Sequence, residues 1–264
     1  MAGRSSSLGL TAWSLWHREV LRFLKDRSRV FSSVGQPVIF WLLFAGALRS
    51  SEMPGGLGYG EYFFPGTLAM IVMFTAIFAT ITVIEDRKEG FLQGVLVSPV
   101  PRSAIALGKI AGGATLAILH ALIFFLLAPL AGVPVGVVSG LAAFGALVLM
   151  AFALTGVGFA LAWKMDSTAG YHGIMMVFLM PMLLLSGAFF PASGAHPVLA
   201  WIMYLNPLSY CVSLLRHALY HDDPAVLADL PSLPLSLGVT LAFAFGTFLL
   251  GTWSVTRRSA RDAV

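Results

Sequence analysis

Two long stretches without a formal charge constrain this chain more than any other feature. Residues 110–163 and 169–215 contain no Asp, Glu, Lys or Arg. A soluble domain carries about 25% charged residues. Here 58% of the chain is hydrophobic and 11% charged, so the solvent that suits it is lipid. Each stretch is also too long for a single crossing, which needs roughly 20 apolar residues.

Continuously apolar windows fall near 31–48, 62–84, 110–131, 140–163, 171–190 and 235–256. They do not alternate, which argues for helices rather than a barrel. The expectation is an all-α integral membrane protein of six transmembrane helices, one domain over residues 1–264. Pro129, Gly132, Pro134 and Gly136 break the first charge-free stretch into a tight hairpin. The basic residues set an orientation. All but Arg49 and Arg216 of the 16 lie before span 1, between spans 2 and 3 or 4 and 5, or after span 6. Both termini are therefore expected in the cytoplasm. The net charge of +4 fits that topology better than nucleic-acid binding. A long polar segment precedes span 1, so that span is expected to stay as an anchor rather than be cleaved.

Residues 8–30 have the pattern of an amphipathic interfacial helix. Trp13, Trp16, Val20, Leu21 and Leu24 recur at helical spacing, opposite Arg18, Arg22, Lys25 and Arg29. Two roles suit it, a topology anchor or a lever that transmits motion. Residues 191–215 are apolar yet broken by Pro191, Pro197 and Pro207. They are expected to form a re-entrant pair of short helices, followed by a charged tip of Arg216, His217, His221, Asp222 and Asp223 that returns to water.

Catalytic chemistry has no foothold in this sequence. Gly108-Lys109 is the nearest approach to a phosphate-binding loop, but Ile110 follows it and no glycine lies five residues upstream. Neither HExxH nor GxSxG occurs. The spans lack the acids and lysines on which ion-coupled pumps run; His120 and His172 are their titratable groups. Energy for any transport is expected from outside the membrane. Single Cys211 excludes an internal disulfide. His217 and His221 with their neighbouring aspartates have ligand-like spacing, but a solvated loop tip explains them, and no metal site is assigned. Met176, Met180 and Phe178 in span 5 are candidate pathway residues, since methionine suits varied apolar ligands; ordinary helix packing accounts for the same side chains.

Residues 85–102, EDRKEGFLQGVLVSPVPR, form the most informative segment. Span 2 is expected to end at Ile84. Glu85, Asp86 and Glu89 would then open a short helix whose dipole favours acids. Phe91, Leu92, Val95 and Leu96 would form an exposed apolar ridge, and Ser98-Pro99-Val100-Pro101 would end it. That is the shape of a knob for a cytoplasmic partner. A polar turn lying on lipid headgroups is the alternative.

Here the sequence resembles a family. Acidic residues followed by Glu89-Gly90, Leu96, Pro99-Val100 and Arg102 look like the span 2–3 link of type-2 ABC exporter permeases. A second signature is Leu185-Ser186-Gly187-Ala188-Phe189-Phe190-Pro191, then Leu205-Asn206-Pro207-Leu208-Ser209-Tyr210 and a later Arg216. The resemblance implies a homodimer, or a pair of related half-permeases, bound to two cytoplasmic ABC ATPase subunits. ATP and magnesium would sit in those partners, with no cofactor on this chain. Glu85, Asp86, Arg87, Glu89, Gly90, Phe91, Leu92, Leu96, Pro99 and Arg102 would form a coupling helix. Gly187, Phe189, Phe190, Pro191, Asn206, Pro207, Tyr210 and Arg216 would form an outer gate. The implied function is export of a drug-like molecule or lipid across the cell's inner membrane. Export of a polysaccharide or lipid-linked glycan, or a scaffold that recruits a cytoplasmic protein, remains an alternative.

Overall fold

A computed structural model describes the backbone of residues 2–25, 27–51, 53–98 and 100–261, and side chains for these except 2–7, 23–24, 27–33 and 258–261. The described residues form helices and turns without a β-strand. In chain order the helices are α1 (Ala2–Lys25), α2 (Arg27–Ala47), α3 (Tyr59–Lys88), α4 (Phe91–Val97), α5 (Arg102–Phe125), α6 (Val137–Ala162), α7 (Thr168–Leu184), α8 (Pro197–Leu205), α9 (Pro207–Leu219), α10 (Pro224–Leu227) and α11 (Leu233–Arg261).

The bundle is built around α3. Of its apolar window 89% is buried, against 61% in α5, 44% in α6 and 22% in α11. Phe63, Phe64, Leu68, Ile71 and Ile77 are fully buried on this helix, which packs mainly against α2, α5 and α6. The outer helices turn apolar residues outward instead: Leu141 and Phe144 on α6, Leu241, Phe245 and Leu250 on α11. An apolar exterior around an equally apolar core is what lipid as solvent permits.

Among the described residues four helices, α3, α5, α6 and α11, are long and apolar enough to cross a bilayer. The described apolar part of α2, Val34–Ala47, and all of α7 are shorter than that. Helices α8 and α9 meet at Asn206 with a bend of 82°, a broken span or a re-entrant pair. Helix α3 runs past Ile84 to Lys88, and α7 stops at Leu184 rather than near 190.

One end of the bundle gathers α1, the last turn of α3, α4 and the first turns of α5. Helix α1 lies along α5 over Gly108 and Gly112, one turn apart on one face. A Cβ at Gly108 would stand 2.7 Å from the Ala12 carbonyl oxygen, and one at Gly112 would stand 2.7 Å from the Glu19 Cβ. The Trp16 indole donates to the Thr115 hydroxyl at 2.9 Å. Helix α1 is amphipathic as expected, but its docking turns part of the basic side inward. Leu15 and Glu19 are buried and Arg18 and Arg22 turn toward α3, while Trp13 and Leu21 are 60% and 45% exposed. A buried carboxylate on α3 attracts the arginines more strongly than water does.

Because the Gly108 contact is to backbone, Gly108→Val is expected to pry α1 from α5 and destabilise the fold by about 1–3 kcal/mol. Hydrogen exchange of α1 amides should rise in that variant and stay unchanged in Gly9→Val, where a side chain meets open space. Equal exchange in the two variants would contradict the docking.

Candidate functional site

The site grows from Asp86, in the last turn of α3 and without solvent exposure. An unpaired carboxylate there would be prohibitive, so burial demands cations. Arg18 provides a two-pronged contact, Nη1 to Oδ2 at 2.8 Å and Nη2 to Oδ1 at 2.7 Å. Arg22 Nη1 reaches Oδ1, and Lys109 Nζ from α5 reaches Oδ2. Lys109 is itself buried and also bonds Glu19 of α1, whose second oxygen accepts from the Thr82 hydroxyl at 2.7 Å. Two buried acids, a buried lysine and two half-buried arginines thus balance one another across α1, α3 and α5. The hydrogen bonds it donates to Asp86 raise the Arg18 pKa above its ordinary value, against the lowering effect of its own burial.

The network extends to the short helix. The Arg18 guanidinium lies 3.7 Å from the centre of the Phe91 ring, the first residue of α4. Arg22 Nη2 also reaches Glu85 at 3.2 Å and Glu89 at 3.3 Å. Between the helices, Gly90 holds φ at 78°, a left-handed conformation that ends α3. Arg102, opening α5, donates to the Leu96 carbonyl at 3.0 Å and fixes the exit from α4. Arg87 leaves the cluster to cap α6: it donates to the carbonyls of Trp163 at 2.5 Å and Met165 at 2.9 Å, and to Asp166 at 3.0 Å.

Two expectations for 85–102 are corrected. Glu85 and Asp86 belong to the last turn of α3 and Glu89 is its cap, so no acid opens the short helix. The Phe91, Leu92, Val95 and Leu96 ridge is not exposed; Leu92 is buried and the others pack on the core. What faces outward is Lys88, Glu89, Gln93, Gly94 and Val97, the last 86% exposed. Pro99 lies outside the described residues.

At the opposite end the second signature assembles around α9. Asn206 Nδ2 donates to the carbonyls of Met182 at 2.6 Å and Leu185 at 2.9 Å, while its Oδ1 caps α9 at the Leu208 amide. Pro207 fills the first position of that helix. The end of α7 and the elbow between α8 and α9 are therefore one joint. Gly187, at φ 77°, presents its carbonyl to the Tyr62 hydroxyl at 3.1 Å and to Arg216 Nη2 at 2.8 Å. Arg216 was expected at a wet loop tip; it is buried, stacked 3.9 Å over the Tyr62 ring. Gly187, Pro191, Tyr210 and Arg216 line a common cavity. Phe189 packs instead on Phe63 and Phe44, and Phe190 faces outward.

The three pathway candidates are not brought together. Met176 and Met180 are partly buried against the core, while Phe178 is 67% exposed on another face of α7. Among the described residues no three His, Cys, Asp or Glu side chains form a metal-sized cluster. His217 hydrogen-bonds the Pro231 carbonyl, and His221 pairs with Asp222.

Sequence reasoning missed Glu19, Lys109 and Thr82. The signal available was a lone lysine, flanked by Gly108 and Gly112, at the edge of a charge-free stretch.

Comparison with known proteins agrees with this architecture. The model of the ABC-2 type transporter family matches residues 11–220. The chain belongs to the ABC-2 type transporter family. It is similar to nodulation protein J of Neorhizobium galegae, 27% identical over 95% of each chain. It is also similar to the inner membrane transport permease YadH of Escherichia coli K12, 25% identical over 93% of this chain and 94% of that one. The putative transport permease ycf38 of Cyanophora paradoxa is 26% identical over 80% of this chain and 76% of that one. This ABC-2 permease is thus a multi-pass membrane subunit of a transporter.

Lys109→Met strips the cation from two buried acids of the permease and is expected to cost about 3–5 kcal/mol of stability. Adding Glu19→Gln should recover part of that loss, because one orphaned charge disappears. Thermal unfolding of both variants in neutral detergent checks the coupling; strictly additive effects would contradict it.

Proposed function

We propose that the permease exports a hydrophobic or amphipathic molecule, drug-like or lipid, powered by two ABC ATPase subunits that dock on α4. The observation that carries this reading is the mounting of α4. Its outward face of Gln93, Gly94 and Val97 is narrow and small, while its inner face is held by Arg18 and Arg102 to helices that reach across the bundle. A surface fixed to the charge cluster passes on a push without absorbing it. Glu85, Asp86, Arg87, Gly90, Phe91, Leu92 and Leu96 then act behind the contact surface, and Glu89 within it.

In this reading six spans are α2, α3, α5, α6, α7 and α11, with α8 and α9 re-entrant on the outer side as a gate. The basic end is cytoplasmic, by the positive-inside rule. The membrane is the cell's inner membrane, as the name of the Escherichia coli relative states for that protein. The exposed apolar face of α7, Ile174, Val177, Phe178 and Leu184, suits lipid or the second permease of a dimer. ATP binding would favour one of two access states by gripping α4 more tightly in that state.

Val97→Asp is expected to abolish copurification of the detergent-solubilised chain with its ATPase while leaving thermal unfolding unchanged. Glu89→Arg should weaken both assembly and export. Undiminished copurification and export in both variants would overturn the docking surface.

A further inference from the structure

The cavity beside Arg216 is the strongest feature that the transport reading leaves unused. Arg216 is 3% exposed, and no carboxylate of the described residues pairs with it within 4.0 Å. Asp229, on the cavity rim, is exposed. Bonds to the Gly187 and Tyr62 carbonyls engage Nη2, and the Tyr62 ring lies under the plane, but Nε is buried without any partner. The neighbouring hydroxyls are already spent on carbonyls: Ser186 on Leu183, Ser209 on Leu185, Ser213 on Pro231 and Tyr210 on Tyr204. A buried cation with an unmet donor and no counter-ion is costly, and within a membrane protein it marks a ligand position.

The space beside it fits an oxyanion. The cavity measures about 50 Å³, more than one water needs, and it is lined by Tyr204, Tyr210, Pro191 and Ala192. Tyr204 also belongs to the outward face of α8, where Trp201, Ile202 and Leu205 are 69%, 42% and 77% exposed. A largely apolar cavity, with the Arg216 cation buried in its wall and the exposed Asp229 carboxylate also in its lining, therefore lies beside an apolar helix face.

We propose that this cavity binds the single anionic head, phosphate, sulfate or carboxylate, of an amphiphile whose hydrocarbon chain lies along α8. The positive charge of Arg216 in the cavity wall holds the head; the apolar face of α8 holds the tail. The chemistry is shared by a transported amphiphile and by an anionic lipid of the bilayer. Naming the former as cargo rests on the export reading; the site itself does not.

The test uses the full chain in phosphatidylcholine nanodiscs, titrated with decyl phosphate and, as controls, decyltrimethylammonium and decyl maltoside. Saturable binding is expected for decyl phosphate only, weakened at least about 10-fold in Arg216→Gln. Ala192→Leu fills the cavity and leaves Arg216 and its carbonyl partners in place, so it covers the case in which the arginine variant unfolds. It should weaken binding to a similar degree. Nanodiscs containing phosphatidylglycerol separate the sources: competition identifies a lipid site, and its absence a cargo site, both supporting the cavity. Equal binding by wild type and Ala192→Leu, or equal binding of anion and cation, would overturn it. No ATPase is present in this assay, so its failure leaves the export reading standing, as loss of ATPase copurification would leave the cavity standing.

Discussion

A carboxylate withdrawn wholly from solvent has to be answered, and Asp86 is answered by three cations from two helices. Arg18 and Arg22 come from α1, Lys109 from α5, and Lys109 brings Glu19 with it. Interactions of this kind add little net stability over an apolar core, yet they are severe when one partner is missing. Their value here is geometric. The same Arg18 that satisfies Asp86 also stacks on Phe91, so the helix on the protein surface takes its position from the charge cluster inside. Gly108 and Gly112 permit the close approach on which all of this depends.

The two ends of the bundle solve their polar problems differently. At the basic end charges meet charges, and the arrangement is closed. At the other, Asn206 ties three helix ends together through carbonyls and an amide, while Arg216 is answered by dipoles and a ring alone. The first pattern suits an element that must transmit force, the second one that must rearrange or receive a ligand. Between them runs α3, packed on every side, whose first turns carry Tyr62 and whose last carries Asp86. A shift of this helix along its axis would be felt at both.

Much of the architecture was legible in the sequence. The centres of the apolar helices, the break near Pro129, the break at Pro207 and the helical nature of 8–25 all follow from hydropathy, proline and spacing. The phase of the 85–102 segment was not. Its acids were placed at the start of a helix because dipoles favour them there, but Gly90 in a left-handed conformation is the end of the preceding one, and Arg87 and Lys88 suit that end better. Pairing was illegible for a deeper reason. Residues 19, 86 and 109 share no local pattern, and only the docking of α1 brings them together. Arg216 was read from its neighbours His217, His221, Asp222 and Asp223, which are wetter than it is; chain proximity to a loop says little about the side of a helix that faces inward.

The proposed export mechanism requires that α1, the end of α3, α4 and the start of α5 move as one body when nucleotide acts on the proposed ATPase partners. Pulsed electron resonance distances between spin labels test it, since Cys211 is buried and leaves engineered cysteines as the reactive sites. Labels replacing Trp13 and Lys88 report across the charge cluster, and labels replacing Lys88 and Trp201 report from one end of the bundle to the other. In the assembled transporter, exchanging ADP for a non-hydrolysable ATP analogue should leave the 13–88 distance distribution unchanged and shift the 88–201 distribution. A change in the 13–88 distance of the same size would contradict the account, because the cluster would then be a hinge rather than a lock.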